Sequence, residues 1–101
     1  MTIHHTYENQ RVTVRLDGEL GHHEAIGIMS RVGEILEVHL PREVVLDLSN
    51  LNFMDSSGIA VVLQSARRCR EIGAVFTVQG VPKQAMRVLQ AAGVPKLVTF
   101  R

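Results

Sequence analysis

Val12, Val14 and Leu16 alternate with Arg11, Thr13 and Arg15, a period of two that fits an extended strand with one buried and one wet face. The alternation returns at Val44, Leu46 and Leu48 against Val45, Asp47 and Ser49. Between the two segments, Ala25, Ile28, Met29, Val32, Ile35 and Leu36 recur at spacings of three and four. That spacing predicts a helix from about His23 to His39 with one apolar stripe. Gly27 and Gly33 weaken it by up to about 1 kcal/mol each relative to Ala. Pro41 closes it, because the residue before a proline avoids the helical region. Strand, helix and strand in this order form a crossover unit.

The remaining elements follow the same logic. Ile3 to Glu8 is a candidate strand joined to the first alternating one by Asn9-Gln10, short enough for an antiparallel hairpin. After Leu48 a turn-rich stretch, Ser49 to Asn52, leads through Phe53 and Met54 to a second helix. That helix buries Ile59, Val62, Leu63 and Ala66, keeps Gln64, Arg67, Arg68 and Glu71 wet, and is capped by Gly73. Ala74 to Gln79 reads as a strand. Pro82 starts a third helix with Ala85, Val88, Leu89 and Ala92 inward and Gly93 after it, and Leu97 to Phe100 reads as a last strand. Crossovers between parallel strands are right-handed, so strands added in one direction place every helix on the same face. Arg11, Thr13, Arg15, Asp47 and Thr77 need a wet face, which a sheet covered on both sides lacks. The expectation is a two-layer α/β sandwich over residues 1–101, with a mixed, mainly parallel sheet of about five strands and helices on one face.

Composition narrows the function. With 101 residues, 46% of them hydrophobic and 21% charged, the chain supports one core, and its active groups belong on the rim. Eleven Lys and Arg against ten Asp and Glu leave no electrostatic footprint for nucleic acid. Arg67-Arg68-Cys69-Arg70 reads as the wet side of a helix. The single cysteine, Cys69, excludes an internal disulfide and a cysteine-based zinc site, and no secretory signal pattern opens the chain. No apolar run approaches the roughly twenty residues of a membrane-spanning helix. The expected compartment is the cytoplasm, without membrane insertion.

Met54-Asp55-Ser56-Ser57-Gly58 lies where the central strand's exit meets the second helix. A helix start presents unpaired backbone N–H groups and a partial positive charge, which suit a Ser or Asp cap and also a phosphate. Asp55 or Ser56 can cap while Ser57 presents its hydroxyl. The segment lacks the G-x-S-x-G elbow, and no Asp or Glu and His are placed to activate the serine. The second constellation, Asp17 to His23, occupies the neighbouring strand-to-helix junction, at the strand ends where α/β sheets carry functional loops. Adjacent His22 and His23 diverge at a helix start and make a poor metal pair. His4-His5 alternates across an edge strand and has less case still.

Gly18-Glu19-Leu20 followed by His22-His23, Val45-Leu46-Asp47-Leu48 running into Phe53 to Gly58, and Gly80-Val81-Pro82 before the third helix together resemble the STAS domain. The likeness is strongest to the bacterial anti-sigma factor antagonists and covers essentially the whole chain. Its most specific element is Asp-Ser-Ser-Gly in its strand-to-helix setting. The resemblance implies that Ser57 is the phosphoacceptor. It implies a partner that is both a serine kinase and an anti-sigma factor, bound through Gly21, His22, His23, Met54, Asp55, Ser56 and Gly58 while Ser57 is unphosphorylated, with release of the sigma factor. A metal-dependent serine phosphatase would reset the switch. The domain itself would be no enzyme and, with no Gly-rich phosphate loop, would hold no cofactor. Gly21 departs from the acidic residue that sporulation-type members often carry before the His pair. Stand-alone STAS domains also serve as adaptors of transport ATPases, which is the alternative role.

Overall fold

The computed structural model describes residues 1–101. Strands β1 (Thr2–Glu8) and β2 (Arg11–Leu20) are followed by α1 (His22–His39), β3 (Glu43–Asp47), β4 (Leu51–Met54), α2 (Ser57–Glu71), β5 (Val75–Gln79), α3 (Lys83–Ala91), a single 3-10 turn at Val94–Lys96 and β6 (Thr99–Phe100). The sheet runs β1-β2-β3-β5-β6, antiparallel at β1·β2 and parallel elsewhere. The expected hairpin, crossovers and α/β sandwich are therefore present.

Leu51–Met54 departs from the expectation of a connecting loop. β2 is ten residues long: Arg11–Arg15 pair with β3, and Gly18–Leu20 pair in parallel with β4. The register shifts between Gly18 and Glu19, where Gly18 takes a φ of 112°. Two successive stretches of chain thus share one strand, after a detour through Leu48–Asn50. With Leu51 and Met54 buried and Asn52 and Phe53 exposed, β4 carries no alternation for a periodicity argument to find.

Val12, Val14, Leu16, Val44, Leu46 and Val78 meet Ala25, Ile28, Val32, Ile35, Leu36, Val61, Val62 and Leu89 in one core. Met29 is only half-buried. The buried stripe of α2 is rotated from the expected one: Val61, Ser65 and Cys69 are buried, while Ile59 and Leu63 are half-covered. Ser65 is accommodated because its hydroxyl donates to the Val61 carbonyl at 2.7 Å. Gly73 ends α2 as expected: at a φ of 73° its N–H reaches the Arg70 carbonyl, and the Ala74 N–H reaches that of Cys69. Two further expectations fail at the end of the chain. Ala92 is exposed at the end of α3, and the 3-10 turn after Gly93 delays the last strand from Leu97 to Thr99, leaving Leu97 exposed.

On the face away from the core, the in-register row Thr13, Val45, Thr77 and Thr99 crosses the sheet. Thr77 was expected to be wet, yet it and Val45 are buried. The flanking rows are long and charged: Glu43 binds both Arg11 (3.1 Å) and Arg101 (3.3 Å), and Asp17 binds Arg15 (2.8 Å).

Candidate switch site

The site assembles where β2 and β4 leave the sheet side by side. Leu20 pairs with Met54, and the Asp55 N–H donates to the Leu20 carbonyl at 3.0 Å. The chains after these strands enter α1 and α2 respectively, so parallel pairing places the two helix starts together. Asp55 joins them. Its Oδ1 accepts the Ser57 N–H at 2.8 Å and its Oδ2 accepts the His22 N–H at 3.2 Å.

These bonds favour the ionised carboxylate. The Ser57 N–H holds Asp55 below its ordinary acidity range, helped by the Ser57 hydroxyl, the His22 N–H and the nearby His22 ring, against the opposing effect of partial desolvation. At the α1 start, the Glu24 carboxylate accepts the Gly21 N–H at 3.0 Å, the reciprocal half of a capping box whose N-cap lacks a side chain. At the α2 start, Ser56 makes no side-chain cap; Asp55 takes that role.

Three of the N–H groups at the α2 start are already used. Besides the Ser57 N–H on Asp55 Oδ1, the Gly58 N–H donates to the Asp55 carbonyl at 3.0 Å and the Ile59 N–H to the Ser56 carbonyl at 3.1 Å. A phosphate on Ser57 would find the helix's partial charge but no vacant backbone donor among these three.

His22, His23 and Ser56 are exposed, and Gly21, Asp55 and Ser57 are half-exposed on the same end of the sandwich. The two histidine rings stand edge to face with centroids 5.8 Å apart. Met54 and Gly58, expected to touch a partner, lie below the surface instead. Met54 is 0% exposed, and Gly58 is buried above it so closely that a Cβ there would stand 2.4 Å from Met54 Cγ. Their contribution is to hold the chain that carries Asp55 and Ser57. No three His, Cys, Asp or Glu side chains converge on a metal position.

Gln84, in the first turn of α3, is a site residue that sequence reasoning missed. Its Oε1 accepts the Met54 N–H at 2.8 Å and its Nε2 donates to the Met54 carbonyl at 2.7 Å. Gln84 thereby does for the free edge of β4 what another strand would do. Nothing in its spacing announces this, because the partner is backbone. Glu24 was missed as well, because Gly21 lacks the side chain that makes a capping box recognisable in a sequence.

The STAS domain family matches residues 4–101. The chain belongs to the STAS domain family. Among similar proteins, the anti-sigma F factor antagonist of Paenibacillus polymyxa is 34% identical over 85 residues, covering 84% of this chain and 73% of the relative. That of Lysinibacillus sphaericus is 36% identical over 87 residues, covering 83% and 72%. The solved structure of the anti-sigma factor antagonist SpoIIAA in its unphosphorylated form superimposes with a TM-score of 0.83 at 22% identity, covering 99% of this STAS domain and 88% of that chain. At that identity the superposition establishes the fold. No helix of this STAS domain is long and apolar enough to cross a membrane.

Proposed function

We propose that this STAS domain is an anti-sigma factor antagonist switched by phosphorylation of Ser57. Unphosphorylated, it binds an anti-sigma factor that is also a serine kinase, through the exposed end formed by Gly21, His22, His23, Asp55, Ser56 and Ser57. Binding releases the sigma factor, and a serine phosphatase restores the binding form. The names of the two bacterial relatives support the partner class.

The observation that carries the reading is the Asp55 carboxylate held ionised against Ser57. Phosphorylation adds nearly two negative charges at a point that already has one, and where the Ser57 and Gly58 amides are already bonded to Asp55. An interface that closes over a neutral hydroxyl would then have to desolvate a dianion beside a carboxylate. A penalty of about 3 kcal/mol weakens binding by roughly a hundredfold. The switch requires no refolding of the domain, and the chain acts as the kinase's substrate rather than as a catalyst.

Incubation with the cognate kinase and ATP, followed by mass spectrometry of peptides, tests the assignment. The expected result is a single phosphate on Ser57, absent from Ser57→Ala. Phosphate on another residue, with Ser57→Ala still switched, would refute it.

A further inference from the structure

We infer that Gln84 is a positioning residue for the switch, fixing the exit of β4 so that Ser57 is presented in a defined geometry. The inference rests on the reading of Ser57 as the phosphoacceptor. Met54 is the last residue of β4, and only β2 pairs with that strand. Along a strand, backbone groups alternate between its two edges. The Asp55 N–H is turned toward β2, where it meets Leu20, so the N–H and C=O of Met54 face the other edge, with no strand beyond it. The Gln84 amide satisfies both groups with bonds of 2.8 and 2.7 Å. A side-chain amide offers a donor and an acceptor on neighbouring atoms, which lets one residue meet both the N–H and the C=O of Met54. Asp55 follows Met54 directly, and Ser57 hangs on Asp55 through its N–H. The geometry of the phosphoacceptor is thus set from two sides: by β2 through Leu20 and by α3 through Gln84.

A kinase transfers phosphate efficiently only to a hydroxyl held near its attack position, so loosening this exit should lower turnover more than affinity. Gln84→Met, similar in length and without either polar group, tests this. Gln84→Glu keeps the acceptor for the Met54 N–H and removes the donor, and serves as the second variant should the first fold poorly. Lys83→Met, on the same helix turn and outside the amide pair, is the control.

Two readouts apply. Amide hydrogen exchange of the Gln84 variants should speed up about tenfold at Met54, Asp55 and Ser57 while Val44 and Val78 in the central strands stay unchanged. With the cognate kinase, kcat for Ser57 phosphorylation should fall about tenfold with KM within about threefold, and Lys83→Met should match the parent. Unchanged exchange at the segment, acceleration shared equally with Val44 and Val78, or an unaltered kcat would overturn the inference. Should the parent receive no phosphate on Ser57, the functional reading falls, while the exchange result stands or fails on its own.

Discussion

The 2.8 Å hydrogen bond from the Ser57 N–H to Asp55 Oδ1 places a capping carboxylate and the proposed phosphoacceptor in direct contact. The cap falls to Asp55, which leaves the proposed switching role to its neighbour Ser57. Asp55 caps the start of α2, and Ser57 is a half-exposed residue beside it. Because Asp55 also takes the His22 N–H, a perturbation at Ser57 reaches the start of α1 through one carboxylate.

Asp55 should make stability depend on acid in a defined way. Its folded acidity constant lies below the ordinary 3.8, so the folded state binds fewer protons than the unfolded chain near that pH. The contribution is complete above 3.8 and is lost as pH falls through the lowered folded value. Asp55→Asn should therefore lower the urea midpoint at neutral pH, and the difference from the parent should shrink as the pH drops below 3.8. A pH-independent difference would mean that charge is irrelevant to the cap.

Gly58→Ala should destabilise the domain by about 1–3 kcal/mol through overpacking. The added Cβ would stand 2.4 Å from Met54 Cγ and 2.5 Å from its Sδ, and Met54 is fully buried, so it would have to shift within the core. Met54→Ala alone opens a cavity costing about 2–5 kcal/mol. In the double variant the clash disappears, so chemical denaturation should give a total clearly smaller than the sum of the single losses.

Gly27→Ala should stabilise the domain by about 0.5–1 kcal/mol, read as a raised Tm. Position 27 lies within α1, is exposed, and has no atom within 4 Å of where a Cβ would be. Gly33→Ala should gain less. Its Cβ would meet the Arg68 guanidinium at 2.8 Å and push it from its 3.7 Å approach to Glu37.

How far these features could be read in the sequence follows from which interactions leave a pattern. The periods of β2, α1 and β3 are written in side chains that repeat, and those elements form where the periods place them. β4 has four residues and no alternation, and it exists because β2 is long enough to pair twice. Without β4 in view, Met54 reads as part of a surface motif rather than as the floor of one. The Asp55 cap was one of two alternatives that composition permits, and only geometry chose it over Ser56. Gln84 acts on backbone atoms of a strand distant in sequence, so no spacing rule could find it. Thr77 misled for a related reason: its register partners in the sheet, Val45 and Thr99, are distant along the chain.

In the proposed switch, charge on Ser57 governs partner binding. That dependence is tested most directly by titrating the cognate anti-sigma factor, in a calorimeter, with two preparations of the chain, one unmodified and one stoichiometrically phosphorylated on Ser57. The phosphorylated form is expected to bind roughly a hundredfold more weakly or worse, with its thermal unfolding little changed. Equal affinity of the two forms, with the phosphate verified in place, would contradict it.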